Sequence, residues 1–284
     1  MTPNTILDEI LAAKREEVAR LQLFRSAIRA QAEAEEAPPP RGFESALRRP
    51  GEVAVIAEFK RRSPSAGEIN PFAQAAGVAS VYAAGGASAI SILTDGPWFG
   101  GSLDDLRSAR GAVGVPLLRK DFTLDSVQLY EARAAGADAV LLIVRALADA
   151  RLRELLELSG ELGLAALVEA HDEEEIDRAL EAGARIVGVN ARDLATFEVD
   201  LEQSLRLIAR LPAEVVAVAE SGIRSPEDAA AAGRAGADAV LVGGWLMAGD
   251  PAAGVEALVG HPRRPRRAAM QAAGVEGVDA GGAS

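Results

Sequence analysis

From Val53 onward the sequence repeats one unit: a short apolar run, a polar loop, a helical stretch and a glycine-containing turn. Apolar runs at Val53–Phe59, Ala89–Leu93, Leu117–Arg119, Ala139–Val144, Ala165–Val168, Ile186–Val189, Val215–Ala219 and Ala239–Val242 read as strands. Helical patterns lie between them, at Phe72–Ala84, Leu103–Arg110, Ser126–Ala135, Ala148–Leu162, Glu173–Ala182, Leu201–Arg210 and Pro226–Ala235. Eight strands alternating with helices predict an α/β fold, the (β/α)8 TIM barrel. Four turns even share their letters. Ala84-Gly85-Gly86-Ala87, Ala135-Gly136-Ala137-Asp138, Ala182-Gly183-Ala184 and Ala235-Gly236-Ala237-Asp238 precede the second, fourth, sixth and eighth strands. Glycine at a helix end accepts the left-handed backbone that turns the chain into the next strand. One αβ turn copied four times favours a closed barrel over a doubly wound open sheet.

A barrel needs ~250 residues, so a chain of 284 has length to spare at its ends. Before the first strand, Ile6, Leu7, Ile10, Leu11, Val18 and Leu21 recur at helical spacing behind a possible Asn4 cap. Lys14, Arg15, Glu16 and Glu17 are assigned to the opposite, solvent face. A second helical stretch is expected from Phe24 to Glu36, stopped by Pro38-Pro39-Pro40. Residues 1–48 thus read as an N-terminal helical extension of a single barrel domain spanning 1–260. A last helix is expected over Pro251–Val259. Residues 261–284, with Arg263-Arg264, Arg266-Arg267 and a Gly/Ala-rich end, read as a disordered tail.

A formal net charge of −12 argues against a general nucleic-acid binder. Without cysteine there is no disulfide, thiol nucleophile or Cys-based metal site, and His171 and His261 lack metal-ligand spacing. No apolar run could span a bilayer, and no signal-peptide pattern opens the chain. The expectation is a cytoplasmic monomer with a small-molecule partner and neither a nucleic-acid nor a membrane partner.

The functional signal lies where strands end. In Ala54-Val55-Ile56-Ala57-Glu58-Phe59-Lys60, alternation puts Ala54, Ile56, Glu58 and Lys60 on one face. Lys120, Glu169, Asn190 and Glu220 follow the third, fifth, sixth and seventh strands. Five strands deliver polar groups to one barrel rim, the end where barrel enzymes keep their chemistry. Burying that much charge is costly unless it is paired or used. Three carboxylates there face two ammonium groups. A lysine in that setting can serve as a general acid if its surroundings suit, and the opposing effects of desolvation and nearby carboxylates leave the direction open.

Ser221-Gly222 after the seventh strand and Gly243-Gly244 after the eighth suit a phosphate, because these loops offer backbone N–H groups in barrels. Ser63, in the first loop, can add a hydroxyl. Phe99 and Phe122 are rim aromatics that either pack under loops or face an aromatic substrate. Arg192 either binds an anion or braces the rim. Arg61, Arg62 and Arg119 read as solvated or structural, Asp121 as a loop anchor, and His171 as a loop or helix-cap residue.

Taken together these segments resemble indole-3-glycerol phosphate synthase. The resemblance is carried by Ile56–Gly67, by Leu93-Thr94-Asp95 with Phe99–Leu103, by Leu118–Phe122, by Leu167–His171, by Val189–Leu194 and by Ala219–Ile223, in that order. It runs from the N-terminal helix to about Val259. It implies a cofactor-free ring closure in tryptophan biosynthesis, converting 1-(2-carboxyphenylamino)-1-deoxyribulose 5-phosphate to indole-3-glycerol phosphate, carbon dioxide and water. Carried over, Lys120 is the general acid, Glu169 transfers a proton in the dehydration, and Lys60 contacts the substrate carboxylate. Glu58, Asn190, Arg192 and Glu220 orient substrate and lysines. Ser221 sits beside the reacting centre or the phosphate; Ser63, Gly222, Gly243 and Gly244 match phosphate positions; Phe99 and Phe122 match the aromatic pocket. Gly244-Trp245 departs from the family's usual small or polar pair, so Trp245 must point away from the phosphate. The alternatives are another phosphate-binding barrel enzyme, such as phosphoribosylanthranilate isomerase, or a barrel that binds a phosphorylated ligand without catalysis.

Overall fold

The structure, a computed structural model, describes residues 5–24, 26, 39–193 and 196–266. Beyond Phe24 and Ser26, the second helical stretch expected up to Glu36 lies outside them, as does the chain after Arg266. Eight parallel strands close a barrel: β1 (Ala54–Phe59), β2 (Ala89–Leu93), β3 (Leu117–Lys120), β4 (Ala139–Ile143), β5 (Ala165–Ala170), β6 (Ile186–Asn190), β7 (Val216–Glu220) and β8 (Ala239–Val242). β1 closes the ring, with Ile56 opposite Ala89 of β2 on one side and Ala54 opposite Ala239 of β8 on the other.

Alternation along the strands makes two cores. Ile56, Leu118, Leu141, Leu167, Ile186, Val218 and Leu241 fill the interior. Val55, Ala57, Phe59, Ile90, Leu142, Val168, Val187 and Val240 face outward against the surrounding helices. Helix α2 (Phe43–Leu47) closes the bottom with Phe43 and Leu47, both fully buried among the first residues of the strands. The four repeated turns behave as their sequence implies: Gly86, Gly136, Gly183 and Gly236 all have positive φ. Two of these turns carry an aspartate that ties adjacent strands together. Asp138 accepts the Leu117 N–H at 2.7 Å, and Asp238 accepts the Ala217 N–H at 2.8 Å.

β3, β5, β6 and β7 each run one or two residues further than the apolar pattern suggested, taking in Lys120, Glu169, Asn190 and Glu220. These polar side chains therefore stand on regular strand and alternate with core residues. The first outer helix starts at Ala75 rather than Phe72, and Phe72 is exposed.

Helix α1 (Ile6–Phe24) lies across the barrel mouth. Ile10 and Leu11 join the interior core, and Val18 packs with Val127 and Tyr130 of the helix Ser126–Ala134. Lys14 is not on a solvent face as its neighbours suggested. Its ammonium is buried, 2.8 Å from Asp121, 3.1 Å from Asp95 and 2.8 Å from Glu17. Burial alone would depress its pKa, but the carboxylates reverse this and hold it charged above the ordinary lysine range.

Residues 261–266, expected to belong to a tail, are held against the barrel, and the rest of that expected tail lies outside the described residues. The Arg263 N–H donates to Gly51 O and the Arg264 N–H to Gly233 O, both at 2.8 Å. Arg266 is buried beneath the barrel, paired with Asp238 at 2.8 Å and donating to the carbonyls of Gly236 and Val215. Guanidinium geometry explains the correction: one arginine can serve several carbonyls and a carboxylate at once. Among the described residues, no helix is long and apolar enough to cross a membrane.

Candidate active site

All fourteen residues expected at the site line one cavity of about 810 Å³ at the C-terminal mouth of the barrel. Period-two alternation puts Glu58 on the inside of β1, and Lys60 just beyond it points the same way. Lys60 Nζ donates to Glu58 Oε1 at 2.7 Å, while Glu58 Oε2 lies 3.5 Å from Ser91 Oγ of β2. Lys120, at the end of β3, reaches across the mouth. Its Nζ donates to Glu169 Oε2 at 3.0 Å and to Glu220 Oε2 at 3.1 Å. Asn190 Oδ1 accepts the Arg192 N–H at 3.0 Å, which leaves the amide NH2 for Glu169. Arg192 itself donates to Phe197 O at 3.2 Å, bracing the loop after β6 while still lining the cavity.

Five charged groups in a buried cluster carry one negative charge too many, and the surplus is resolved at Glu220. Burial raises its carboxyl, Lys120 counteracts, and the charges of Glu169 and Glu58 add to the rise, leaving it pushed up to about 8. The shift favours the protonated form of Glu220. Burial acts on Glu169 in the same direction, but Lys120, His171 and Asn190 outweigh it and keep that carboxyl well below its usual range. Lys120 is itself opposed by burial, yet Glu169, Glu220 and Glu58 hold it charged, above the ordinary lysine range. At Lys120 the surrounding carboxylates thus outweigh burial, the direction that the sequence left open.

Two glycines make this cluster sterically possible. A Cβ on Gly188 of β6 would overlap Glu220 Oε1, and one on Gly243 would overlap Glu58 Oε1. Gly243 is expected at the phosphate end; its close neighbour in the structure is the Glu58 carboxylate. Gly244, one residue on, has open space beside it at the start of the short helix Gly244–Ala248. Ser221 and Gly222 have φ of 63° and 77°. For serine this is a sparsely populated conformation, of the kind that concentrates at functional sites. Ser63 accepts the Ala66 N–H at 3.1 Å and so shapes the first loop. Trp245 is half-buried, its ring against Gly254 of the helix Pro251–Leu258.

Phe99 and Phe122 form one wall, with ring centroids 6.2 Å apart. Ile6, Leu7 and Ile10 of α1 supply an apolar roof that the sequence did not assign to the site. The remaining charges are structural, as expected. Arg61 makes a bidentate pair with Asp105, both contacts 2.7 Å, and lies over the Phe59 ring. Arg62 donates to Gly96 O and Pro97 O. Arg119 points out of the barrel and is buried between Asp121 and Glu131. Asp121 also takes Lys14 and Thr94, anchoring its loop, and its carboxyl falls to about 2, because these cations and Thr94 outweigh burial. Asp172, not His171, caps the following helix, accepting the Glu175 N–H at 2.9 Å.

Comparisons with known proteins point to one family. A family model described as indole-3-glycerol phosphate synthase matches residues 7–258. Proteins named indole-3-glycerol phosphate synthase from Mycobacterium ulcerans and Mycolicibacterium gilvum are 50% and 51% identical over 272 residues, covering 94% of this chain and 100% of each relative. Among solved structures, thiamine phosphate pyrophosphorylase from Pyrococcus furiosus superposes with a TM-score of 0.54 at 18% identity, covering 72% of this chain and 93% of that one. At that identity it supports the barrel fold alone.

Proposed function

The chain belongs to the indole-3-glycerol phosphate synthase family, and from that premise we propose how its barrel mouth carries out the ring closure. The enzyme is a carboxy-lyase of tryptophan biosynthesis. The observation that carries the assignment of roles is Lys120 Nζ, held between Glu169 at 3.0 Å and Glu220 at 3.1 Å in a cavity that also contains Lys60.

The aromatic carbon bearing the carboxylate attacks the ketone of 1-(2-carboxyphenylamino)-1-deoxyribulose 5-phosphate. The carbonyl π pair moves to oxygen, which takes the Lys120 proton. Lys60 turns from Glu58 to the substrate carboxylate and holds it until it leaves as carbon dioxide. The released bonding pair restores the aromatic ring. Glu220, in hydrogen-bond reach of Lys120, returns a proton to the amine. In the dehydration Glu169 takes a proton from the CH2 carbon beside nitrogen. The C–H pair closes the new double bond as the hydroxyl leaves with a proton from Lys120. General acid–base assistance of this kind contributes about 10²–10⁴-fold per group. No cofactor enters the scheme.

The phosphate is assigned to the backbone of Ser221-Gly222 and Gly243-Gly244, with Ser63 beside it. Glycine lets backbone donors approach an anion closely. Phe99 and Phe122 face the carboxyphenyl ring under the α1 roof. A monomeric enzyme is the expectation, and size-exclusion chromatography with light scattering tests it. A cytoplasmic location follows from the biosynthetic role as an expectation.

The test is turnover. Purified protein should convert the substrate to a fluorescent indole product without added metal. Lys120→Ala should lower kcat by at least 10²-fold in a protein that still folds, with a lower melting temperature because Glu169 and Glu220 lose their cation. A variant retaining the parent's kcat would overturn the acid assignment.

A further inference from the structure

Among the described residues, His171 is a titratable group with a buried side chain that stands beside Glu169 and has no place in the mechanism. It follows β5 and lies behind Glu169, with its side chain only 6% exposed. Its Nδ1 is 3.0 Å from Glu175 Oε2, which also accepts the His171 backbone N–H at 2.9 Å. Glu175 is fixed from its other side by Arg145, whose Nε donates to Oε1 at 2.7 Å from the turn after β4. Burial raises Glu175, but the hydrogen bonds from His171 and Arg145 more than offset it, so Glu175 is an ionised carboxylate. A carboxylate only accepts, so Nδ1 carries the hydrogen that points at it. The other ring nitrogen is thereby left over. Nε2 is buried, has no hydrogen-bond partner among the described residues, and stands 3.6 Å from Glu169 Oε1.

A buried nitrogen without a partner normally costs stability. Here it faces the oxygen of a group that gains and loses a proton during the reaction. The charged or polar groups around the pair are Glu175 and Arg145 on the ring side, and Lys120 and Asn190 on the far side of Glu169. Beside Glu169 Oε1, the His171 Nε2 is a buried ring nitrogen with no other hydrogen-bond partner among the described residues.

We propose that His171 is a positioning residue for Glu169 and takes on Nε2 the proton that Glu169 collects in the dehydration. This rests on the role given to Glu169 above. The substrate C–H bond breaks, its electron pair closes the carbon–carbon double bond, and Glu169 takes the proton. The carboxyl then gives that proton to Nε2: the O–H bond breaks, the N–H bond forms, and an imidazolium stands between two carboxylates. The hydroxyl leaves with the Lys120 proton as water. The imidazolium proton afterwards returns through Glu169 to the Lys120 amine, which Glu169 Oε2 already contacts at 3.0 Å. Nothing is created or lost along this path, and no further reactant is required.

Glutamine at 171 can fill the space and hydrogen-bond both glutamates, but it cannot hold the proton. His171→Gln should lower kcat about 10- to 100-fold, leave KM within about twofold, and displace the limb of the kcat–pH profile that belongs to Glu169. A purely structural role would move the melting temperature and not that limb. A folded His171→Gln enzyme with the parent's kcat and pH profile would overturn the relay. Should His171→Gln not fold, the parent enzyme supplies a second measurement. The chain has two histidines, so ¹⁵N-histidine NMR resolves His171 against His261. Nδ1–H must be the protonated position in the ligand-free enzyme, and a resting Nε2–H tautomer with bare Nδ1 would sink the proposal. Glu169→Gln separates the two layers of the argument. If that variant turns over normally, the role of Glu169 itself fails and the relay with it. If it is inactive while His171→Gln is fully active, only the relay fails.

Discussion

Gly188→Ala tests whether the active-site charges depend on space left inside the barrel. The added Cβ would overlap Glu220 Oε1 and stand 3.0 Å from its Cδ and 3.1 Å from Leu167 Cδ1. Ordinary carbon contacts lie at about 3.5–4.0 Å, so the carboxyl must retreat by roughly half an ångström to an ångström. β6 cannot give instead, because it is paired on both sides, with Gly188 opposite Glu169 and Val218. The retreat breaks the 3.1 Å bond from Lys120 to Glu220. A hydrogen bond to a charged group is worth about 1.5–3 kcal/mol, and overpacking adds about 1–3 kcal/mol. The expected result is a folded enzyme with a melting temperature lower by several degrees. Its kcat should fall about 10²-fold, since small misplacements of reacting groups have effects of that size. Steady-state fluorescence kinetics and thermal unfolding measure both. A variant with the parent's kcat would show that the Lys120–Glu220 contact is not needed and that Gly188 is merely small.

Glu220→Gln should flatten the pH dependence of stability between about pH 5 and 8. Raised to about 8 in the fold from a normal value of 4.5, Glu220 contributes stability that is complete below 4.5 and lost as pH rises through 8; urea midpoints at several pH values check it. Glu169 and Asp121, with lowered pKa values, act in a separate window, losing their contribution as pH falls below about 4. Lys14→Met removes the cation between Asp95 and Asp121 and should cost about 3–5 kcal/mol; with α1 loosened, KM should rise more than kcat falls. Truncation after Gly260 leaves Asp238 without Arg263 and Arg266, so the melting temperature should fall markedly while kcat/KM at a permissive temperature stays near the parent's.

The alternation of strands and helices was legible because each element carries its own period and each αβ turn its own glycine. The rim residues were legible because a charge ending an apolar strand is conspicuous. That same conspicuousness made the strands read short, since a search for apolar runs stops at Lys120 or Glu169 although the backbone ladder continues through them. Lys14 was misplaced for a related reason. It lies four residues from both Ile10 and Val18, on the buried stripe of α1, and that spacing was the signal available to place it. Arg266 had no such signal: its partners are carbonyls of distant turns, which no local pattern encodes. Gly188 sits midway in register between inward-facing Ile186 and Asn190, so an inward gap could be read, but not the glutamate from β7 that fills it. His171 looked like a loop residue because the group it faces, Glu169, lies on its own strand, and only the fold turns both toward one buried space.

Proton accounting joins these observations. The substrate enters with an aromatic carboxylate and leaves without it as neutral carbon dioxide, so each turnover consumes one proton. Lys120 spends its own on the ketone and needs another before the hydroxyl can depart. With three carboxylates against two lysines, the cluster has room to store that proton, and burial favours it on Glu220, 3.1 Å from the amine that needs it. Were Glu58, Glu169 and Glu220 matched by three cations, no carboxyl would be raised and the store would be empty. On the roles proposed here, the surplus acid is therefore functional, and the two carboxylates that contact Lys120 are not interchangeable. Glu220 is pushed toward its neutral form over a glycine that leaves it room. Glu169 is kept ionised by Lys120 and Asn190, with His171 behind it, ready for the carbon-bound proton that arrives last.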